Sequence, residues 1–167
     1  MIKKINKRGQ IELSFGMIFS IIIIIALVAT AFYAISYFFK LGKCAQSGLF
    51  YKDLEEEIEK AWASEITQKT FSGTIPGSVD KVCFGGLEQD FSDYDEEHRA
   101  IERVFRNSAN NLFLYKPESA CSKDSASYNL KHAKTARFFC VKSDDGKVEI
   151  VISKDSTDAL ATIAKGE

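Results

Sequence analysis

Hydrophobic and polar positions divide the chain into a short polar head, one long apolar bar and a mixed remainder. Residues 13–39 form a run of 27 positions without a charge, centred on five consecutive isoleucines, Ile21 to Ile25. At 1.5 Å per residue a helix of that length is about 40 Å long, more than the roughly 30 Å hydrocarbon core of a bilayer. A string of isoleucines favours a strand in water, whereas in lipid only a helix satisfies its own backbone. The run therefore predicts a single transmembrane helix over residues 13–39. Tyr33, Tyr37, Phe38 and Phe39 gather at its end, followed by Lys40 and Lys43, the order of an aromatic belt with snorkelling lysines.

Beyond the bar the period changes. Gly42 and Gly48 lie in a stretch that permits a bend, and residues 53–68 predict a second, amphipathic helix. There Leu54, Ile58, Ala61, Trp62 and Ile66 recur every three or four positions, and Glu55, Glu56, Glu57 and Glu59 favour the helix start. Trp62, the only tryptophan, is the expected anchor of this helix on the domain that follows. Residues 70–77 read as an extended, turn-rich segment and residues 79–84 as a strand closed by Gly85 and Gly86. Residues 93–107 read as a helix with Tyr94, His98, Ile101, Val104 and Phe105 on one side. A short strand at residues 111–115 and a polar loop at residues 119–134 follow. Strands at residues 136–142 and 148–152 flank Ser143-Asp144-Asp145-Gly146 and predict a β-hairpin. Residues 157–164 read as a short helix or a frayed end.

The expected fold is α+β: a basic cytoplasmic leader at 1–12, the transmembrane helix at 13–39, a linker and amphipathic helix at 40–69, and a small extracytoplasmic head at 70–167. The head would carry a short antiparallel sheet and one or two helices.

Charge orients this plan. The 167 residues sum to −1, but residues 1–44 carry +5 and the remainder −6. Lys3, Lys4, Lys7 and Arg8 precede the bar, against Lys40 and Lys43 after it, so the positive-inside rule puts the N-terminus in the cytoplasm and the domain outside the cell membrane. The lipid bilayer is thus the first expected partner. An acidic body offers no electrostatic footprint for nucleic acid. The bar is longer than the apolar core of a secretory signal and ends in aromatics rather than Ala-x-Ala. An uncleaved anchor, or cleavage on its cytoplasmic side, is expected.

Four cysteines, Cys44, Cys83, Cys121 and Cys140, all follow the bar, and an even number outside the membrane predicts two disulfides. The preferred pairing is Cys44–Cys83 with Cys121–Cys140, which closes a short loop. Cys83–Cys140 is a close alternative, because both lie in predicted strands. The Cys-x₂-Cys spacing of a zinc site is absent.

No catalytic motif, phosphate-binding loop or cofactor fingerprint occurs, so no enzyme activity and no cofactor are expected. His98 and His132 read as solvated, and Asp93, Asp95, Glu96 and Glu97 do not follow EF-hand spacing.

The segment Lys7-Arg8-Gly9-Gln10-Ile11-Glu12, running straight into the apolar bar, resembles the class III signal peptide of archaeal type IV pilin-like proteins. The resemblance covers about residues 3–39. It implies cleavage between Gly9 and Gln10 by a prepilin-type peptidase on the cytoplasmic side. It also implies assembly with identical or related subunits through the apolar helix, with Glu12 near the new amino terminus as the assembly carboxylate. In pilin-like proteins the membrane helix runs on into a segment such as residues 53–68, a course that this sequence allows. Glu12 would be the third residue of the processed chain, where the family carries its glutamate fifth. A structural subunit of this kind is the expected function, and an uncleaved, membrane-anchored binding or accessory module of the envelope is the alternative.

Overall fold

The computed structural model describes residues 15–87, 96–106 and 108–166. Contacts divide the chain into two compact units, Met1–Phe39 and Lys40–Glu167. The described part of the first unit is helix throughout. The second unit holds the sheets, so the chain is α+β, with one long apolar N-terminal helix and a small sheet-rich domain.

Helix α1 spans Phe15–Trp62 as a single element of 48 residues. Residues 53–62 therefore continue α1 rather than forming a separate second helix, and α1 runs through both Gly42 and Gly48 without the bend they permit. Each costs a helix interior about 1 kcal/mol relative to alanine. That cost is offset by the stripe that follows, in which Ser47, Phe50, Tyr51, Leu54, Ile58 and Ala61 are all buried. The helix stops at Trp62, earlier than expected. Gln68 belongs to strand β1 (Thr67–Thr74), and Ile66, expected on the apolar stripe, is 71% exposed.

Seven further strands follow: β2 (Lys81–Phe84), β3 (Leu112–Tyr115), β4 (Ser127–Tyr128), β5 (Ala133–Thr135), β6 (Phe139–Lys142), β7 (Lys147–Lys154) and β8 (Ala161–Lys165). They form two four-stranded sheets, ordered β1-β7-β8-β5 and β4-β3-β2-β6. All pairings are antiparallel except β5 with β8, so the single antiparallel sheet of the sequence expectation becomes two sheets, one of them mixed.

The expected hairpin over residues 136–152 is also corrected. β6 pairs with β2 and β7 with β1 and β8, so consecutive strands enter different sheets. The turn forms nonetheless: Asp144 and Lys147 close it with reciprocal backbone hydrogen bonds, and Asp145 and Gly146 take φ of 47° and 77°. A Cβ at Gly146 would lie 2.8 Å from the Ile75 carbonyl oxygen. That carbonyl approach and the positive φ are what Gly146 permits. The tight turn is local chemistry, while the sheet that each arm joins is decided by its long-range partners.

β7 alternates strictly, burying Val148, Ile150 and Ile152, with Phe71 opposite Ile150 and Ile163 opposite Ile152. β8 replaces the expected helix or frayed end at residues 157–164, and it buries Ala161 and Ile163 between β7 and β5. Helix α2 (Glu96–Phe105) buries His98, Ile101 and Phe105. Asp93, Tyr94, Asp95 and Asn107 lie outside the described residues. The core thus draws on α1, α2 and both sheets, with Phe50, Phe84, Phe113 and Leu54 among its largest fully buried side chains.

Candidate functional site

The apolar bar and the polar face of α1 that begins at Cys44 are the two features that set this chain apart. On the bar, every residue from 15 to 42 is exposed, including Leu27 at 64% and Phe32 at 69%. By length and composition α1 is the one helix among the described residues that is able to cross a membrane. Two hydroxyls of the bar are satisfied within the helix: Ser20 Oγ donates to the Gly16 carbonyl at 2.8 Å and Thr30 Oγ1 to that of Leu27 at 2.9 Å. Such back-bonding removes the cost of placing a hydroxyl in hydrocarbon. Gly9, Gln10 and Glu12, the expected processing and assembly residues, lie outside the described residues.

From Cys44 onward α1 carries a second line of side chains beside its apolar stripe: Cys44, Tyr51, Glu55, Glu59 and Trp62. Intervals of seven, four, four and three put them on one side of the helix. Together they seam residues 121–132 onto α1, and the two segments advance in the same direction along the contact. Cys44 is bonded to Cys121, with 4.6 Å between their Cα atoms. Tyr51 donates its hydroxyl to the Ser125 carbonyl at 2.8 Å and stacks on Tyr128, ring centroids 4.9 Å apart. Tyr128 donates to a Glu55 carboxylate oxygen at 2.5 Å. His132 Nδ1 donates to Glu59 Oε1 at 2.7 Å, and the His132 ring lies flat on Trp62. Trp62 Nε1 in turn donates to the Ala159 carbonyl at 3.1 Å.

The far side of this segment is gripped as well. Asn111 donates from Nδ2 to the Leu130 carbonyl at 2.9 Å, and Asn111 Oδ1 accepts from the Leu130 amide at 2.7 Å. The stretch expected to be a polar loop is thus held between α1 and the start of β3. His132, expected in solvent, is a seam residue at φ 56°. His98, also expected in solvent, is 3% exposed and meets Phe138 edge-on at 4.7 Å.

The seam changes the acidity of its phenols. Burial pushes Tyr51 well above the usual tyrosine range. Tyr128 is raised first by its hydrogen bond to Glu55, then by burial and by the Glu55 charge, because each favours the neutral phenol.

The disulfides correct the preferred pairing. Cys44 joins Cys121 and Cys83 joins Cys140. Cys83 and Cys140 sit directly opposite each other on β2 and β6, Cα atoms 4.0 Å apart. Register on adjacent strands outweighs the shorter loop that Cys121–Cys140 would have closed. The two bridges span 77 and 57 residues. In the chain-entropy treatment each is worth about 4 kcal/mol.

Among the described residues no group of three His, Cys, Asp or Glu side chains is placed to hold a metal ion. The seam carboxylates are each engaged by a neighbouring phenol or imidazole, which fastens residues 121–132 to α1. The signal that sequence inspection missed was the spacing of Cys44, Tyr51, Glu55 and Glu59, a helical line of polar and aromatic groups beside the apolar stripe. Compared with known proteins, the chain matches no family model, no curated protein and no solved structure.

Proposed function

We propose that this chain is a membrane-anchored, externally displayed structural subunit, pilin-like in organisation, which assembles with copies of itself or related subunits through its apolar N-terminal helix. The observation that carries the proposal is the exposure of every residue from 15 to 42 on a helix long enough to cross a bilayer. Burying the exposed side chain of a single Leu or Ile is worth roughly 1.5–3 kcal/mol, so a bar of this size requires lipid or other helices around it. Two further observations support the reading. The sequence around Gly9, Gln10 and Glu12 resembles a prepilin processing site, with a prepilin-type peptidase as the implied partner. Two disulfides suit an oxidising compartment outside the cytoplasm, which agrees with a cytoplasmic N-terminus and an extracytoplasmic domain.

The seam fits a structural role. It fastens a long irregular segment to α1 through covalent, aromatic and charge-assisted contacts. The test is to shear cells producing the protein, fractionate by size and examine the high-mass material by electron microscopy. A filament subunit appears there. A chain found only in membranes as a monomer is instead an anchored binding or accessory module of the envelope.

A further inference from the structure

Among the described residues β1 is the outermost strand of its sheet, paired with β7 on one side only, and it is eight residues long. The other outermost strands, β5, β4 and β6, have three, two and four residues. Long open edges are templates for pairing, and proteins commonly guard them with proline, bulges or charges. β1 contains no proline, and its one charge, Lys69, is drawn onto Glu57 of α1 rather than standing guard. Gln68, Thr70, Ser72 and Thr74 are exposed. Between this edge and α1 lies an open groove of about 420 Å³ with Asp53, Glu56 and Glu57 on its helix wall. Glu57 is occupied by Lys60 and Lys69, whereas Asp53 makes no ion pair among the described residues, and Glu56 has only an exposed contact to Lys52 at 3.6 Å.

We propose that the free edge of β1 accepts an extended peptide segment of another protein as a fifth strand, and that this segment carries basic side chains toward Asp53 and Glu56. Backbone pairing supplies affinity and the acidic wall selects the sequence. The site is independent of whether the apolar helix assembles or merely anchors.

The test uses the full chain in nonionic detergent micelles and three ten-residue peptides: alternating lysine and threonine, alternating glutamate and threonine, and the lysine peptide N-methylated at every residue. The lysine peptide is expected to bind and to slow hydrogen exchange of amides in residues 67–74. The glutamate and N-methylated peptides are expected to bind at least about tenfold more weakly, since one lacks the charge and the other the strand donors. Asp53→Lys with Glu56→Lys, both on the exposed helix surface, is expected to lower affinity for the lysine peptide by a similar factor. Equal binding of the N-methylated peptide overturns strand addition, and equal binding of the glutamate peptide overturns the acidic wall. Protection of the β1 amides through self-association without peptide assigns the edge to a second copy and overturns the proposed occupant.

Discussion

The indole of Trp62 lies flat on the imidazole of His132, with ring centroids 3.9 Å apart and planes 7° from parallel. This contact joins the last turn of α1 to a segment 70 residues further along the chain. Because Glu59 Oε1 holds the Nδ1 edge of the imidazole at 2.7 Å, the ring is fixed in rotation as well as in position. Trp62→Ala should lower the stability of the sheet-rich domain by about 2–3 kcal/mol, less than a fully buried tryptophan because the ring is partly exposed. A double-mutant cycle with His132→Ala should give a coupling of about 1 kcal/mol in denaturant unfolding. Additive effects would mean that the stack contributes nothing.

The disulfides make a separate prediction. Peptide mapping without reductant should recover Cys44 linked to Cys121 and Cys83 linked to Cys140. Replacing Cys44 and Cys121 together by serine should cost about 4 kcal/mol and speed hydrogen exchange across residues 117–126. A Cys121–Cys140 peptide would show that the seam is not formed as described.

Alkaline pH should weaken the fold through two phenols. Tyr51 and Tyr128 are held neutral in the folded chain, so between the ordinary tyrosine value near 10 and their raised values the folded state binds more protons than the unfolded state. Their contribution is whole below about pH 10 and is lost as pH rises beyond it. Phenolate absorbance should show Tyr51 ionising only as the domain unfolds, and Tyr51→Phe should flatten the alkaline fall in stability. Ionisation of Tyr51 along with freely exposed tyrosines, in a folded domain, would contradict its burial.

The unbroken course of α1 can be tested at Gly48. A Cβ built there meets nothing within 4 Å. Gly48→Ala should therefore stabilise the domain by about 1 kcal/mol, a few degrees in Tm. Destabilisation would indicate a break in the helix at this point.

The parts of the fold that follow from local pattern were legible in the sequence. The apolar bar, the Leu54–Ile58–Ala61 stripe, the β2 and β3 segments and the Asp145-Gly146 turn each depend on neighbours a few residues away. The features that escaped depend on distant partners. A turn with suitable residues implied a hairpin, but β6 and β7 find stronger partners in β2 and in β1 and β8. Gly42 and Gly48 permitted a bend, yet packing of Phe50, Leu54 and Ile58 carries the helix through. Residues 119–134 looked like loop because they are polar, and their polar groups are spent on α1. Ala161 to Lys165 lack a strong strand pattern and become β8 through the pairing that β7 and β5 provide. Of the candidate functional residues, the four cysteines were visible as disulfide formers, with Cys83–Cys140 the close alternative and Cys44–Cys121 not foreseen. Tyr51, Glu55 and Glu59 were legible only as a helical spacing, whose distant partners, Tyr128 and His132, the sequence does not reveal.

The mature N-terminus tests the central proposal most directly. Mass spectrometry of the protein from native membranes should find a chain that begins at Gln10, processed after Gly9 and still carrying the apolar helix. A chain that begins at Met1 or Ile2 would contradict pilin-like processing and leave an uncleaved membrane anchor.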